Sequence, residues 1–201
     1  MAEPFQTEIE AFERQDRAAP PPPGAVVFLG SSTLRLWTTL EQDFPGIPVV
    51  NRGFGGSQIA DSICYAPRIV FPLKPATLVF YAGENDLAAG KTPEQVAADF
   101  QRLVADVQTA LPATRILFVS LKPSPCRAGL LDAMRQANAL IKDLIQPDPR
   151  LEFVDVFTPM LDETGTPRAE LFADDRLHLN AAGYALWTRI LRPRLAPAAM
   201  P

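Results

Sequence analysis

Five short, apolar runs spaced widely along the chain, with helical stretches between them, restrict this sequence to a narrow set of folds. Ala25–Leu29, Pro48–Val50, Thr77–Tyr81, Arg115–Val119 and Leu151–Asp155 are rich in β-branched and aromatic residues, the types that fit a pleated, buried surface. Their hydrophobicity is continuous rather than alternating, so these strands are expected to be covered on both faces, as in a parallel sheet. Parallel neighbours need crossovers, and the intervening segments supply them. Pro93–Ala110 carries Thr92 as N-cap and proline at the first helical position, Leu130–Ile145 is a second helix, and a third follows Asn180. The expected fold is a doubly wound α/β domain, a three-layer flavodoxin-like sandwich with five parallel strands in the order 2-1-3-4-5.

Before the first strand, Phe5, Ile9 and Phe12 recur at helical spacing over residues 3–17, and Pro20–Pro23 then stop the helix and form a stiff spacer. We therefore divide the chain into an N-terminal helix and proline-rich spacer, residues 1–24, and a single α/β domain, residues 25–201. The helix is expected to pack on the body, with a homo-oligomer contact as the alternative. At 201 residues and 47% hydrophobic content the chain can bury a full core without disulfides or metal. Cys64 and Cys126 lack metal-ligand spacing and are expected to be buried free thiols without a role.

A net charge of −4 with no Lys/Arg cluster argues against nucleic acid and anionic membrane as partners. The first residues carry Glu3, Glu8, Glu10 and Glu13 where a signal peptide needs positive charge and then an apolar stretch. No apolar run approaches the roughly 18 residues of a membrane span. A soluble, cytoplasmic protein with a small neutral or polar partner is the expectation.

In such a sheet, ligands bind outside the carboxyl ends of the strands, and four polar clusters fall there. Gly30-Ser31-Ser32-Thr33 follows the first strand, where a hydroxyl at a helix start meets backbone N–H donors. Taken alone it reads as a helix cap. Asn51-Arg-Gly-Phe-Gly-Gly-Ser57 follows the second strand, its glycines allowing close backbone approach, and by itself is an ordinary tight turn. Gly83-Glu84-Asn85-Asp86 follows the third strand and offers a neutral amide donor, or else an Asx turn. Asp174-Asp175-Arg-Leu-His178-Leu-Asn180 holds the only histidine, with an acid three residues upstream able to reach its ring N–H and Asn180 placed to cap the next helix.

Together these residues make a catalytic inventory: a hydroxyl nucleophile, an imidazole base, a carboxylate to orient it and N–H donors for an oxyanion. The four clusters, in this order, resemble the blocks of the SGNH or GDSL-like esterases and lipases, and the resemblance covers about residues 25 to 192. It implies Ser32 as nucleophile, Asp175 and His178 as its triad partners, and an oxyanion hole formed by the Ser32 and Gly56 amides and the Asn85 side chain. It implies no metal and no organic cofactor. One departure is Ser31, where the family most often has aspartate, which bears on the conformation of the nucleophile turn. The implied reaction is acyl transfer from a short-chain carboxylic ester. An acyl thioester, an acetylated sugar or a lysophospholipid are alternative substrates for the same site. A rival of another class is a flavodoxin-like module whose Gly30–Thr33 loop cradles phosphate or flavin, and a third is a scaffold without activity.

Overall fold

The computed structural model describes residues 4–195. Position 3, where the helical spacing begins, and residues 196–201 of the expected domain lie outside them. Five strands, β1 (Val26–Gly30), β2 (Val49–Gly53), β3 (Thr77–Tyr81), β4 (Arg115–Val119) and β5 (Leu151–Val154), form one sheet in the order β2-β1-β3-β4-β5. Every pairing is parallel. The helices are α1 (Gln6–Ala18), α2 (Ser32–Arg35), α3 (Leu40–Asp43), α4 (Ile59–Ile69), α5 (Glu84–Ala88), α6 (Pro93–Ala110), α7 (Leu131–Ile145) and α8 (Ala181–Leu195).

The side-chain period of two sorts each central strand between two cores. Val27 and Leu29, Leu78 and Phe80, and Ile116 and Phe118 point to one face, against apolar residues of α1, α4, α6 and α7. Val26 and Phe28, Val79 and Tyr81, and Leu117 and Val119 point to the other, against α2, α3 and α8. Both faces are covered, which is why the strands read as continuous apolar runs.

Helix α8 anchors the segment that follows β1. Tyr184 stacks on Trp37 at 5.0 Å between centroids, Trp187 meets Trp37 edge-on at 6.1 Å, and the Tyr184 hydroxyl donates to the Thr33 carbonyl at 2.9 Å. Burial pushes that phenol's pKa well up. Residues from the two ends of the chain are thereby fixed to one another.

Helix α1 lies against the body, on the core that also holds β1, β3 and β4. Ile9 is fully buried, and Phe5 packs edge-on against Phe54. Buried Arg52 pairs with Asp16, and Arg68 donates to Glu13 at 2.7 Å. Phe5 is itself left-handed at φ 63°, and the helix begins at Gln6. Glu8 accepts the Gly55 N–H at 3.0 Å, so α1 braces the glycine-rich loop directly. Cys64 and Cys126 are free but exposed, contrary to the burial expected of sparse thiols. Cys64 lies on the outward face of α4 and Cys126 in the turn Pro125–Leu130, neither at a core-facing position. Among the described residues, no helix is long and apolar enough to cross a membrane.

Candidate active site

All four clusters meet at the carboxyl ends of the strands. Strand β1 ends at Gly30, level with Gly53 of β2 and Tyr81 of β3. A Cβ at Gly30 would sit 1.9 Å from the Tyr81 carbonyl oxygen, so only glycine lets the chain turn there. The next residue, Ser31, is buried and extended, donates its N–H to the Tyr81 carbonyl at 3.1 Å, and accepts from the amides of Leu34 and Arg35. Its side chain makes no capping bond. Backbone contacts therefore set the turn, and aspartate is not required at this position to shape it.

Ser32 is the first residue of α2, and its Oγ lies 2.9 Å from His178 Nε2. On the far side of the ring, Nδ1 lies 2.6 Å from Asp175 Oδ2. The other Asp175 oxygen accepts the backbone N–H groups of Leu177 and His178, each at 2.9 Å. The bonds from the His178 ring and then from these amides hold the Asp175 carboxyl down to about 2, below its ordinary 3.8. Asp175 is therefore an acceptor-only carboxylate at neutral pH. Nδ1 must carry the ring proton, and the Nε2 lone pair faces the Ser32 hydroxyl. Arg176, left-handed at φ 56°, turns the chain between the two triad residues. Asn180 then caps α8 through the amides of Ala182 and Gly183.

Asn85 and Asp86 secure the glycine-rich loop from α5. Asn85 Nδ2 donates to the Ser57 carbonyl at 3.0 Å. Buried Asp86 accepts from Ile59 N at 3.2 Å and from Lys91 Nζ at 2.8 Å. Burial raises the Asp86 pKa, against the opposing pull of Lys91 and the Ile59 amide. Gly56 is exposed, and a Cβ placed on it would point to within 3.8 Å of Asn85 Nδ2. Two of the three expected oxyanion donors, Gly56 and Asn85, are thus neighbours.

Two further groups in this region escape a reading of the sequence. Lys122, fully buried, lies 2.9 and 3.1 Å from the two Glu84 carboxylate oxygens, and the Tyr81 hydroxyl donates to the same carboxylate. Burial pulls the Lys122 ammonium pKa down against the attraction of Glu84. A charged pair so enclosed persists through mutual bonding, and here it anchors the first residue of α5, next to Asn85. Arg127, in the turn Pro125–Leu130 after β4, donates to Asn85 Oδ1 at 2.7 Å. The only sequence signal for it is its place beyond the carboxyl end of a strand. Among the described residues, no group of His, Cys, Asp or Glu side chains could hold a metal ion.

The model of the GDSL-like lipase/acylhydrolase family matches residues 24–186, most of the chain and all four clusters. The chain belongs to this family. Among curated relatives, the human platelet-activating factor acetylhydrolase IB subunit alpha1 is 27% identical over 176 residues, covering 85% of this chain and 74% of that protein. A GDSL-like lipase from Bacteroides thetaiotaomicron superposes with a TM-score of 0.78 at 19% identity, covering 93% of this chain and 96% of the other. A carbohydrate esterase of family 3 from Talaromyces cellulolyticus does so with a TM-score of 0.66 at 16% identity, covering 85% and 96%. Both structural likenesses carry the fold, the five-stranded parallel α/β sandwich, and the family match makes the chain a hydrolase of the acylhydrolase class.

Removal of the Asn85 amide should be felt in turnover rather than in affinity, provided the space it borders receives an oxygen that gains charge only after attack. We expect Asn85→Ala to lower kcat by about a hundredfold to a thousandfold, ~2.7 to 4 kcal/mol, with KM changed far less. Because Asn85 also holds the Ser57 carbonyl, a loss of about 1 kcal/mol in stability should accompany it. Turnover, KM and thermal midpoint measured on one preparation separate the two effects. A lowered midpoint with turnover within a few fold of wild type would make Asn85 a structural cap only.

Proposed function

We propose that this family member is a serine ester hydrolase that forms an acyl-enzyme on Ser32 and prefers short-chain carboxylic esters. The observation that carries the reading is the unbroken chain Asp175–His178–Ser32, with contacts of 2.6 and 2.9 Å. In the first half-reaction, His178 Nε2 takes the Ser32 proton as Oγ bonds to the ester carbonyl carbon. The carbonyl oxygen becomes an oxyanion held by the amides of Ser32 and Gly56 and by Asn85 Nδ2. The tetrahedral adduct collapses, the C–O bond to the alcohol breaks, and the imidazolium gives its proton to the departing oxygen. Water repeats the sequence on the acyl-enzyme and frees the acid and Ser32. Asp175 stays ionised throughout and stabilises the imidazolium.

The phosphate-cradle alternative fits less well. Ser32 Oγ is bound to His178 instead of facing a ligand, and α2, a helix of four residues, is too short to add much dipole to an anion site.

Two outcomes follow at this level. Asp175, depressed to about 2, cannot supply the acid limb of a pH profile at mildly acidic pH. Its own contribution to stability is present above about 4 and lost as the pH falls from there through about 2. Activity should instead be lost on acidification wherever the His178 ring becomes protonated, because a protonated ring cannot accept from Ser32. Initial rates from about pH 5 to about pH 8, with folding checked by circular dichroism, test this. A flat profile excludes a histidine base.

The second concerns the substrate. His178 and Asp175 side chains are 24% and 49% exposed, so the triad opens to the surface rather than to the bottom of a channel. We expect a p-nitrophenyl ester series to peak at acetate to butyrate, with an acetylated sugar and an acyl thioester as comparison arms that decide between the alternatives. A peak at long acyl chains with activation at a lipid interface contradicts the short-chain reading.

A further inference from the structure

We infer that Arg127 is a positioning residue for ester hydrolysis, which fixes the side-chain amide of Asn85 with its N–H face toward the oxyanion. This rests on the esterase reading of Ser32 proposed above. A primary amide is nearly symmetric in shape, its oxygen and nitrogen ends being almost the same size. Packing alone does not choose between them, and the wrong choice is costly. With Oδ1 turned toward the reacting carbonyl, Asn85 would repel the developing negative charge instead of stabilising it.

A guanidinium can only donate hydrogen bonds. Arg127 Nη2 lies 2.7 Å from Asn85, so the atom it meets there must be the amide oxygen. The nitrogen is then forced to the other side, where the Ser57 carbonyl, an acceptor only, takes one of its hydrogens at 3.0 Å. One N–H is left, and the nearby Gly56 lacks a side chain that would block it. Arg127 and Ser57 thus grip the amide from its two ends and specify one orientation. The positive charge on Arg127 also draws electron density toward Oδ1, which makes the remaining N–H a stronger donor.

The turn that carries Arg127 is tied to the triad as well. The N–H of Cys126 donates to the Arg176 carbonyl at 3.0 Å, and Arg176 lies between Asp175 and His178. One short turn after β4 therefore touches the oxyanion side chain through Arg127 and the base loop through Cys126. Arg127 itself is half-buried, and its backbone angles break the regular turn at φ −114°, ψ 30°.

The test uses the full-length protein with p-nitrophenyl acetate and four variants: Arg127→Ala, Arg127→Lys, Asn85→Ala and the Arg127→Ala/Asn85→Ala double. Arg127→Ala should lose about tenfold to a hundredfold in kcat, less than Asn85→Ala, with KM within about twofold. Arg127→Lys, which restores a donor-only cation, should recover part of that loss. In the Asn85→Ala background, removing Arg127 should cost less than about twofold more, because the group it orients is gone. A structural role alone would lower the thermal midpoint and leave these ratios unmoved. Wild-type kcat in Arg127→Ala, or losses that multiply in the double variant, would overturn the inference. Ser32→Ala run in parallel keeps the two claims apart. Turnover that survives in Ser32→Ala removes the esterase reading and this inference with it, whereas an inactive Ser32→Ala beside an unaffected Arg127→Ala removes the role of Arg127 alone.

Discussion

Ser32→Ala should abolish ester turnover, with a fall of about a millionfold in kcat and a thermal midpoint close to wild type. The size follows from the way the three groups act together. Without Oγ there is no acyl-enzyme, so His178 and Asp175 have nothing to activate, and only the oxyanion donors and binding are left. Loss of any one member of such a unit approaches the loss of all. Stability should hardly change, because Ser32 is only half-buried and the turn around it is set by the backbone bonds of Ser31 and by Gly30. Steady-state assays on protein purified in a fresh system, free of contaminating esterase, measure it. Retained turnover within a hundredfold of wild type would mean that another residue is the nucleophile.

Asp175→Asn is expected to cost about a thousandfold to ten-thousandfold in kcat, while Asp174→Asn stays within a few fold. Asparagine can still accept the Leu177 and His178 amides through its oxygen, as Asp175 Oδ1 does, so the loop should keep its shape. Its NH2 group would then face Nδ1, where the carboxylate oxygen now sits at 2.6 Å. A donor there favours the tautomer protonated on Nε2, which points a hydrogen at Ser32 Oγ and removes the base. The half-exposed position of Asp175 lets water compete, which is why the lower end of that range is included. Asp174 is exposed and one residue away, whereas the carboxylate at Nδ1 is that of Asp175. Comparison of kcat for the two variants decides it. Equal losses, or a larger loss in Asp174→Asn, would reassign the acid.

The strands and the candidate site were legible in the sequence for the same reason. Buried parallel strands must be apolar on both faces, so β3 and β4 coincide with the runs Thr77–Tyr81 and Arg115–Val119, and α6 begins where Thr92 and Pro93 indicate. Chemistry at strand ends needs polar residues where apolar runs stop, which made Ser32, Asn85 and His178 conspicuous. Elements that break these rules were hidden. Helix α4 carries Pro67 inside it, which reads as a stop, yet Pro67 falls in the last turn, where one lost amide bond is tolerated. Strand β2 extends through Asn51 and Arg52 to Gly53. Those polar residues read as loop, but Asn51 bonds the Leu34 carbonyl and Arg52 is buried against Asp16. Lys122 and Glu84 look like surface charges until their mutual contact is seen. Arg127 acts on Asn85 from 42 residues away, a relation no local pattern records.

Ser32 Oγ is the atom proposed to take the acyl group. A p-nitrophenyl phosphonate makes this visible, because it transfers its phosphonyl group to an activated serine and the adduct is stable to digestion. Mass spectrometry of the labelled protein should show one addition, on the peptide containing Gly30–Thr33, with fragment ions placing it on Ser32 and with activity lost in proportion. An adduct on Ser31 or Thr33, or full inactivation with Ser32 unmodified, would mean that Ser32 is not the nucleophile.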